Sequence, residues 1–237
     1  MIARRWLDLT LVLLLAVSLA AVLLTHERDF LRKPFCAAVR VCPSADNAEA
    51  WNKIAYDLGI GGLTSLVFYA LLVRVPERQR RSRIRRSLSL RYKAFKKDLI
   101  ATILSVADRT YEFALIDELL DQKKFRDYFK EAVDQHHERW DRFLNNLDDN
   151  RIRELLSTME IFRAEVIQVL VSTDIANFET SEFFKRLSAA IYSHRNATAD
   201  YDEVKQLSGL LWGLLTGWDW VAGYPERDIV QDMIDSV

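Results

Sequence analysis

From Glu77 to Ser208 the chain has no glycine and no proline, and the whole protein holds only seven glycines and four prolines. Turns lean on those residues, so a many-stranded sheet with its hairpins is excluded for the long middle of the chain. Cysteine is as scarce. Its two occurrences, Cys36 and Cys42, share the stretch "FCAAVRVCPS", which leaves no other thiol for a nucleophile or a cysteine metal site. A phosphate-cradling glycine loop, a GxSxG elbow, kinase signatures and HExxH are missing too. These gaps argue against an enzyme, and no cofactor is expected. In "DQHHERWD", helical spacing would put Asp134, His137 and Asp141 on one face, a geometry able to hold a metal. A di-metal bundle site needs two acid-x-x-His pairs and carboxylates from four helices; only one such pair occurs, so a solvated face and no metal are expected.

The formal net charge of −1 hides a strong asymmetry. Arg74 to Lys97 carries eleven Lys/Arg against the single acid Glu77, whereas Asp98 to Val237 carries 15 basic and 27 acidic residues. A segment that faces polyanions is followed by an acidic domain.

Ahead of the basic segment stand two apolar runs. "WLDLTLVLLLAVSLAAVLLT", Trp6 to Thr25, would form a helix about 30 Å long, the thickness of bilayer hydrocarbon. "IAYDLGIGGLTSLVFYALLV", Ile54 to Val73, has the same length, with Trp51 and Tyr56 placed as interfacial aromatics. Residues 1–75 therefore read as a two-span transmembrane hairpin; a cleaved signal peptide is the alternative for the first run. The basic residues after the second span outweigh the four in the intervening loop, which puts both termini in the cytosol at the inner membrane and loop 26–51 outside. Oxidation is permitted there. Cys36 and Cys42 are free to close a small disulfide ring, the alternative being two unpaired loop thiols. Ala16 and Ala20 in the first run, and Ala55, Gly59 and Gly62 with Gly61 and Ser65 in the second, provide small-xxx-small spacing for close helix packing, within the hairpin or between copies in a homo-oligomer.

The rest of the chain reads as helix. Ile84, Leu88, Tyr92, Phe95, Leu99, Ile103 and Val106 form one apolar stripe on a helix expected to begin after Pro76. Further helices are expected over Phe113–Leu120, Lys123–Leu147, Ile152–Val171, Ser181–His194, Tyr201–Gly217 and Glu226–Ile234, with turn-rich breaks between them. The expected fold is all-α: hairpin 1–75, basic juxtamembrane collar 76–97, and an acidic cytosolic bundle of six or seven helices over 98–237.

Two stretches are candidates for contact. The collar, with Arg80, Arg81, Arg83, Arg85 and Arg86, would meet anionic lipid headgroups, at about 1 kcal/mol per basic residue. The acidic bundle argues against direct nucleic-acid binding. In "GLLWGLLTGWDW", Gly209, Gly213 and Gly217 would line one helix face, as core packing or as a groove for a partner.

A two-span hairpin with a basic collar and a cytosolic helical domain lacking catalytic motifs resembles, in layout, the small transmembrane effectors of bacterial anti-phage systems, including retron-associated ones. The resemblance implies a bundle held inactive by a cytosolic protein or ribonucleoprotein partner, and spans that disrupt the inner membrane once released. The alternative is a constitutive membrane tether or scaffold that presents the acidic bundle to a soluble partner.

Overall fold

Helix formers arranged in apolar stripes, with capping residues between them, produce a chain that is helical almost throughout. A computed structural model describes residues 2–24, 45–108, 110–134, 137–173, 175, 177–218, 223–225 and 227–237; among these no residue is in a strand, and an isolated antiparallel bridge joins Ala132 and Glu138. The fold is all-α. Two units divide it, Met1–Arg80 and Arg81–Val237.

The first unit contains α1, Ile2–Leu24, and α2, Ala45–Tyr69. They pack antiparallel. Ser18 lies beside Gly62 and Val22 beside Gly59, while Leu11 and Leu15 share a groove with Leu66 and Tyr69. Away from that seam the surface is apolar and exposed, as at Leu13, Val17, Leu58, Phe68 and Leu72. Such a surface would cost about 25 cal/mol for each Å² left in water, and nothing else in this unit covers it among the described residues. By length and composition, the helical stretch Asn52–Ala107 includes a segment able to cross a membrane; Leu9–Leu23 is a shorter apolar helix.

A π-helical turn, Ala70–Arg74, follows α2 directly and leads into α3, Val75–Ala107. The expected helix start after Pro76 is thereby corrected: the helix runs through it. Proline has no N–H and its ring crowds the carbonyl four residues back, here that of Leu72. A wider turn relieves the crowding, and the Val75 N–H bonds to the Ala70 carbonyl, five residues back.

The second unit is built around the later part of α3. Leu88, Tyr92, Phe95, Leu99 and Ile103 are buried, as their spacing predicts. Around them lie α4, Phe113–Glu118; α5, Gln122–Phe129; α6, Arg139–Asn145; α7, Asp149–Ser172; α8, Phe178–Ser193; α9, Tyr201–Thr216; and α10, Ile229–Asp235. Asp121, Asp148, Asn177, Asp200 and Asp228 each cap a helix by accepting a first-turn N–H. Phe95 stacks on Phe162 with ring centroids 4.4 Å apart. A second aromatic cluster joins Phe125, Phe129, Trp140 and Trp212.

One expected helix, Lys123–Leu147, is two. Lys130 ends α5; then the Val133 N–H bonds to the His137 carbonyl and the Arg139 N–H to the Glu131 carbonyl, closing a tight reversal. Side chains make this turn without glycine or proline: Asp134 accepts from the His137 N–H, and Glu138 and Asp141 form a reciprocal capping box that restarts the helix. Asp134, His137 and Asp141 consequently do not share a helix face.

Candidate functional site

In the second unit, α5 begins at a capped aspartate and carries Lys123, Arg126 and Lys130 at i, i+3 and i+7, so all three emerge along one side. That side borders a cleft of about 750 Å³ that is also lined by Lys96 from α3, Thr216 at the end of α9, and Tyr224, Pro225 and Asp228 from the segment before α10. Tyr224 is fixed by its hydroxyl, which accepts from Trp212 Nε1 at 3.1 Å. Its ring lies 4.4 Å from the Arg126 guanidinium and 5.2 Å from Lys130 Nζ. Cations over an aromatic face are attracted by its quadrupole, which orients these two heads without neutralising them.

Lys96 is the least exposed cation of this lining. Only 13% of its side chain is exposed, and Nζ donates to Asp228 Oδ2 at 2.8 Å. Asp228 also accepts from the Tyr92 hydroxyl at 3.0 Å and from the Gln231 N–H at 3.1 Å. Burial, and then the adjacent Asp228 charge, push the Tyr92 hydroxyl well above its ordinary pKa. It stays a donor at any physiological pH.

A second polar hub joins α3, α5 and α6. Asp108 pairs with Arg139 at 3.3 Å and accepts from the Tyr128 hydroxyl at 2.8 Å, while the Arg139 guanidinium lies 3.9 Å from the Tyr128 ring. Burial first, and the hydrogen bond to Asp108 second, raise the Tyr128 hydroxyl to about 12. This hub holds the reversal in place, since Arg139 also donates to the Tyr128 carbonyl at 2.8 Å.

The residues singled out from the sequence fall in several places. In the first unit, Gly59 is buried and Gly62 half-buried on the face toward α1; Ala20 and Ala55 are half-buried, Ala16 is exposed, and Gly61 faces open space. Arg80, Arg83, Arg85 and Arg86 are exposed on the helix and Arg81 is half-buried. Gly209 is exposed and Gly213 half-buried on α9. Gly217 does not continue their face: at φ 67° it ends the helix in the left-handed conformation, packed against Gln122. Cys36 and Cys42, with most of loop 26–51, lie outside the described residues.

Sequence reasoning missed the cleft. Lys96 belongs by position to the basic segment, yet it turns inward onto Asp228, and no local pattern announces a partner 132 residues away. The i, i+3, i+7 spacing of Lys123, Arg126 and Lys130 was the available signal, and it resembled an ordinary solvated face. No protein-family model, curated protein or solved structure matches this chain.

Proposed function

We propose that this protein is a membrane-anchored binding protein without catalytic chemistry of its own, a tether rather than a pore-forming effector. In this reading α1 and α2 are a two-span hairpin in the inner membrane with both termini cytosolic. Arg80, Arg81, Arg83, Arg85 and Arg86 lie against anionic headgroups, and the acidic helical unit is offered to a soluble partner. The observation that carries the choice is the seam of the first unit. Gly59 and Gly62, the positions best suited to bringing membrane helices together, are filled by Ser18, Ala21 and Val22 of the same chain. A defence effector that disrupts the bilayer by association needs a packing face available between copies, and this one is used within the hairpin.

Expression of the chain alone, with fractionation beside a membrane-potential dye, tests the assignment. A tether resists alkaline extraction from membranes and leaves the potential intact. Depolarisation at levels where the protein is plainly inserted would return the effector reading, and release by alkali would remove the anchor.

A further inference from the structure

The cationic cleft of the second unit has chemistry that tethering does not use. Four cations, Lys96, Lys123, Arg126 and Lys130, surround it against two carboxylates, Asp121 and Asp228. Asp121 is engaged as the α5 cap; Asp228 is the α10 cap, the Tyr92 acceptor and the ion-pair partner of Lys96 at 2.8 Å, which leaves Lys123, Arg126 and Lys130 as the cations not neutralised by the lining carboxylates. Among the described residues Lys123 and Lys130 have no ion pair, and the pair formed by Arg126 is a distant one to Asp127 at 3.8 Å. Like charges three and four residues apart on a short helix repel each other. An isolated surface helix gains nothing from that arrangement. A concave site with a preset aromatic wall does, because the Arg126 and Lys130 heads both lie against the Tyr224 ring, 4.4 and 5.2 Å from its centroid, and are thereby pre-organised for an anion bearing several charges.

The setting sharpens the contrast. Residues 98–237 are strongly acidic, so a net positive concavity there runs against the field of its own domain and is selective for a compact ligand of high charge density. About 750 Å³ lies inside the ordinary range for small-molecule sites, roughly 300 to 1,000 Å³. An extended nucleic-acid backbone would have to cross the acidic surroundings to reach it. A short phosphate chain would not.

We propose that this cleft binds a small polyphosphate anion, with Lys123, Arg126 and Lys130 on the phosphates and the Lys96–Asp228 pair forming part of the wall behind them. Inorganic diphosphate and the phosphate chain of a nucleoside di- or triphosphate share this chemistry. The site lies wholly within the second unit and does not depend on how the chain meets a membrane.

The test uses the full chain in nanodiscs of zwitterionic lipid, which removes anionic headgroups as competitors, with calorimetric titration by diphosphate, ATP, adenosine and sulfate. Diphosphate and ATP should bind, adenosine should not, and sulfate should be at least about tenfold weaker. Equal affinity for diphosphate and ATP assigns the site to the phosphate chain itself; tighter ATP binding assigns it to a nucleotide. Lys123→Gln with Lys130→Gln removes two exposed charges from the rim, so folding is kept. It should raise Kd at least about tenfold, since hydrogen bonds to charged groups are each worth about that factor. A control, Arg83→Gln with Arg85→Gln, should leave Kd unchanged. Binding of sulfate as tight as diphosphate, no binding of either polyphosphate, or a Kd insensitive to the rim substitutions would overturn the proposal.

Discussion

The Tyr92 hydroxyl donates to the Asp228 carboxylate at 3.0 Å, joining two residues 136 positions apart in the chain. Tyr92 is 1% exposed on α3, and Asp228 is the cap of α10, so one carboxylate ties the last helix to the central one. Asp228→Ala removes the cap, strands a buried hydroxyl and unpairs Lys96. It should cost about 3 kcal/mol, roughly 1 from the cap and the remainder from the orphaned groups. Tyr92→Phe removes the donor together with the need for an acceptor and should cost about 1 kcal/mol. In the Tyr92→Phe background, Asp228→Ala should then be milder by at least about 1 kcal/mol, a coupling that denaturant melts of all four chains would read. Strict additivity would mean that the hydrogen bond carries no energy of its own.

Tyr128 predicts a pH dependence. Its pKa lies at about 12 in the folded protein against an ordinary value of 10.0. Between those limits an unfolded chain has released this proton and the folded one has not, so stability must fall as pH rises through the interval. The contribution is complete below pH 10.0 and gone above about 12. Tyr128→Phe should make that part of the stability profile less steep, the remainder coming from Tyr92, while leaving the profile near neutrality with the same shape. Tyrosinate absorbance of the folded protein should show one fewer late-titrating phenol in the variant. An unchanged alkaline slope would assign it elsewhere.

How far the fold could be read in advance depended on whether its cause was local. The stripe from Leu88 to Ile103 is periodic, and it is buried as its spacing requires. Helix starts at Asp148, Asn177 and Asp200 follow from side chains that cap their own neighbours. The reversal after Lys130 was harder, because Asp134 and the Glu138/Asp141 box make a turn from residues equally common on helix surfaces. Least legible was the cleft: Lys96 meets Asp228 only after the whole unit has closed, and charge counting along the sequence assigned that lysine to the lipid side. Small residues at Gly59 and Gly62 announced a packing face, but the spacing alone could not say whether the partner was α1 or another copy.

The three glycines of the C-terminal stretch separate by conformation. Gly217→Ala places a Cβ at φ 67° and against the Gln122 side chain, so a loss of about 1 to 2 kcal/mol is expected. Gly209 sits within α9, and a Cβ there meets nothing within 4 Å. Gly209→Ala should therefore stabilise the helix by about 0.5 to 1 kcal/mol. Thermal melts of the two variants should move in opposite directions. If Gly209→Ala also destabilises, the assigned helix interior is wrong; if it stabilises yet weakens capture of a soluble partner, Gly209 belongs to that contact.

The hairpin seam permits a direct chemical test. A Cβ built on Gly62 would stand 3.3 Å from the Ser18 Cβ, close to the mean of about 3.8 Å spanned by a disulfide. In a chain with Cys36→Ala and Cys42→Ala, Ser18→Cys with Gly62→Cys should therefore oxidise in the membrane within one chain, giving a monomer of altered mobility that reductant restores. Moving the second cysteine to Gly61, where a Cβ meets nothing within 4 Å, should abolish the crosslink although it lies only one residue away. That contrast separates a specific seam from chance collision, since neighbouring positions differ in direction on a helix far more than in depth. The alternative outcome is equally legible. If Ser18→Cys with Gly62→Cys yields dimers instead, the small face meets its counterpart on another copy. The seam then no longer argues for a tether, and membrane disruption by association becomes the better account of the chain.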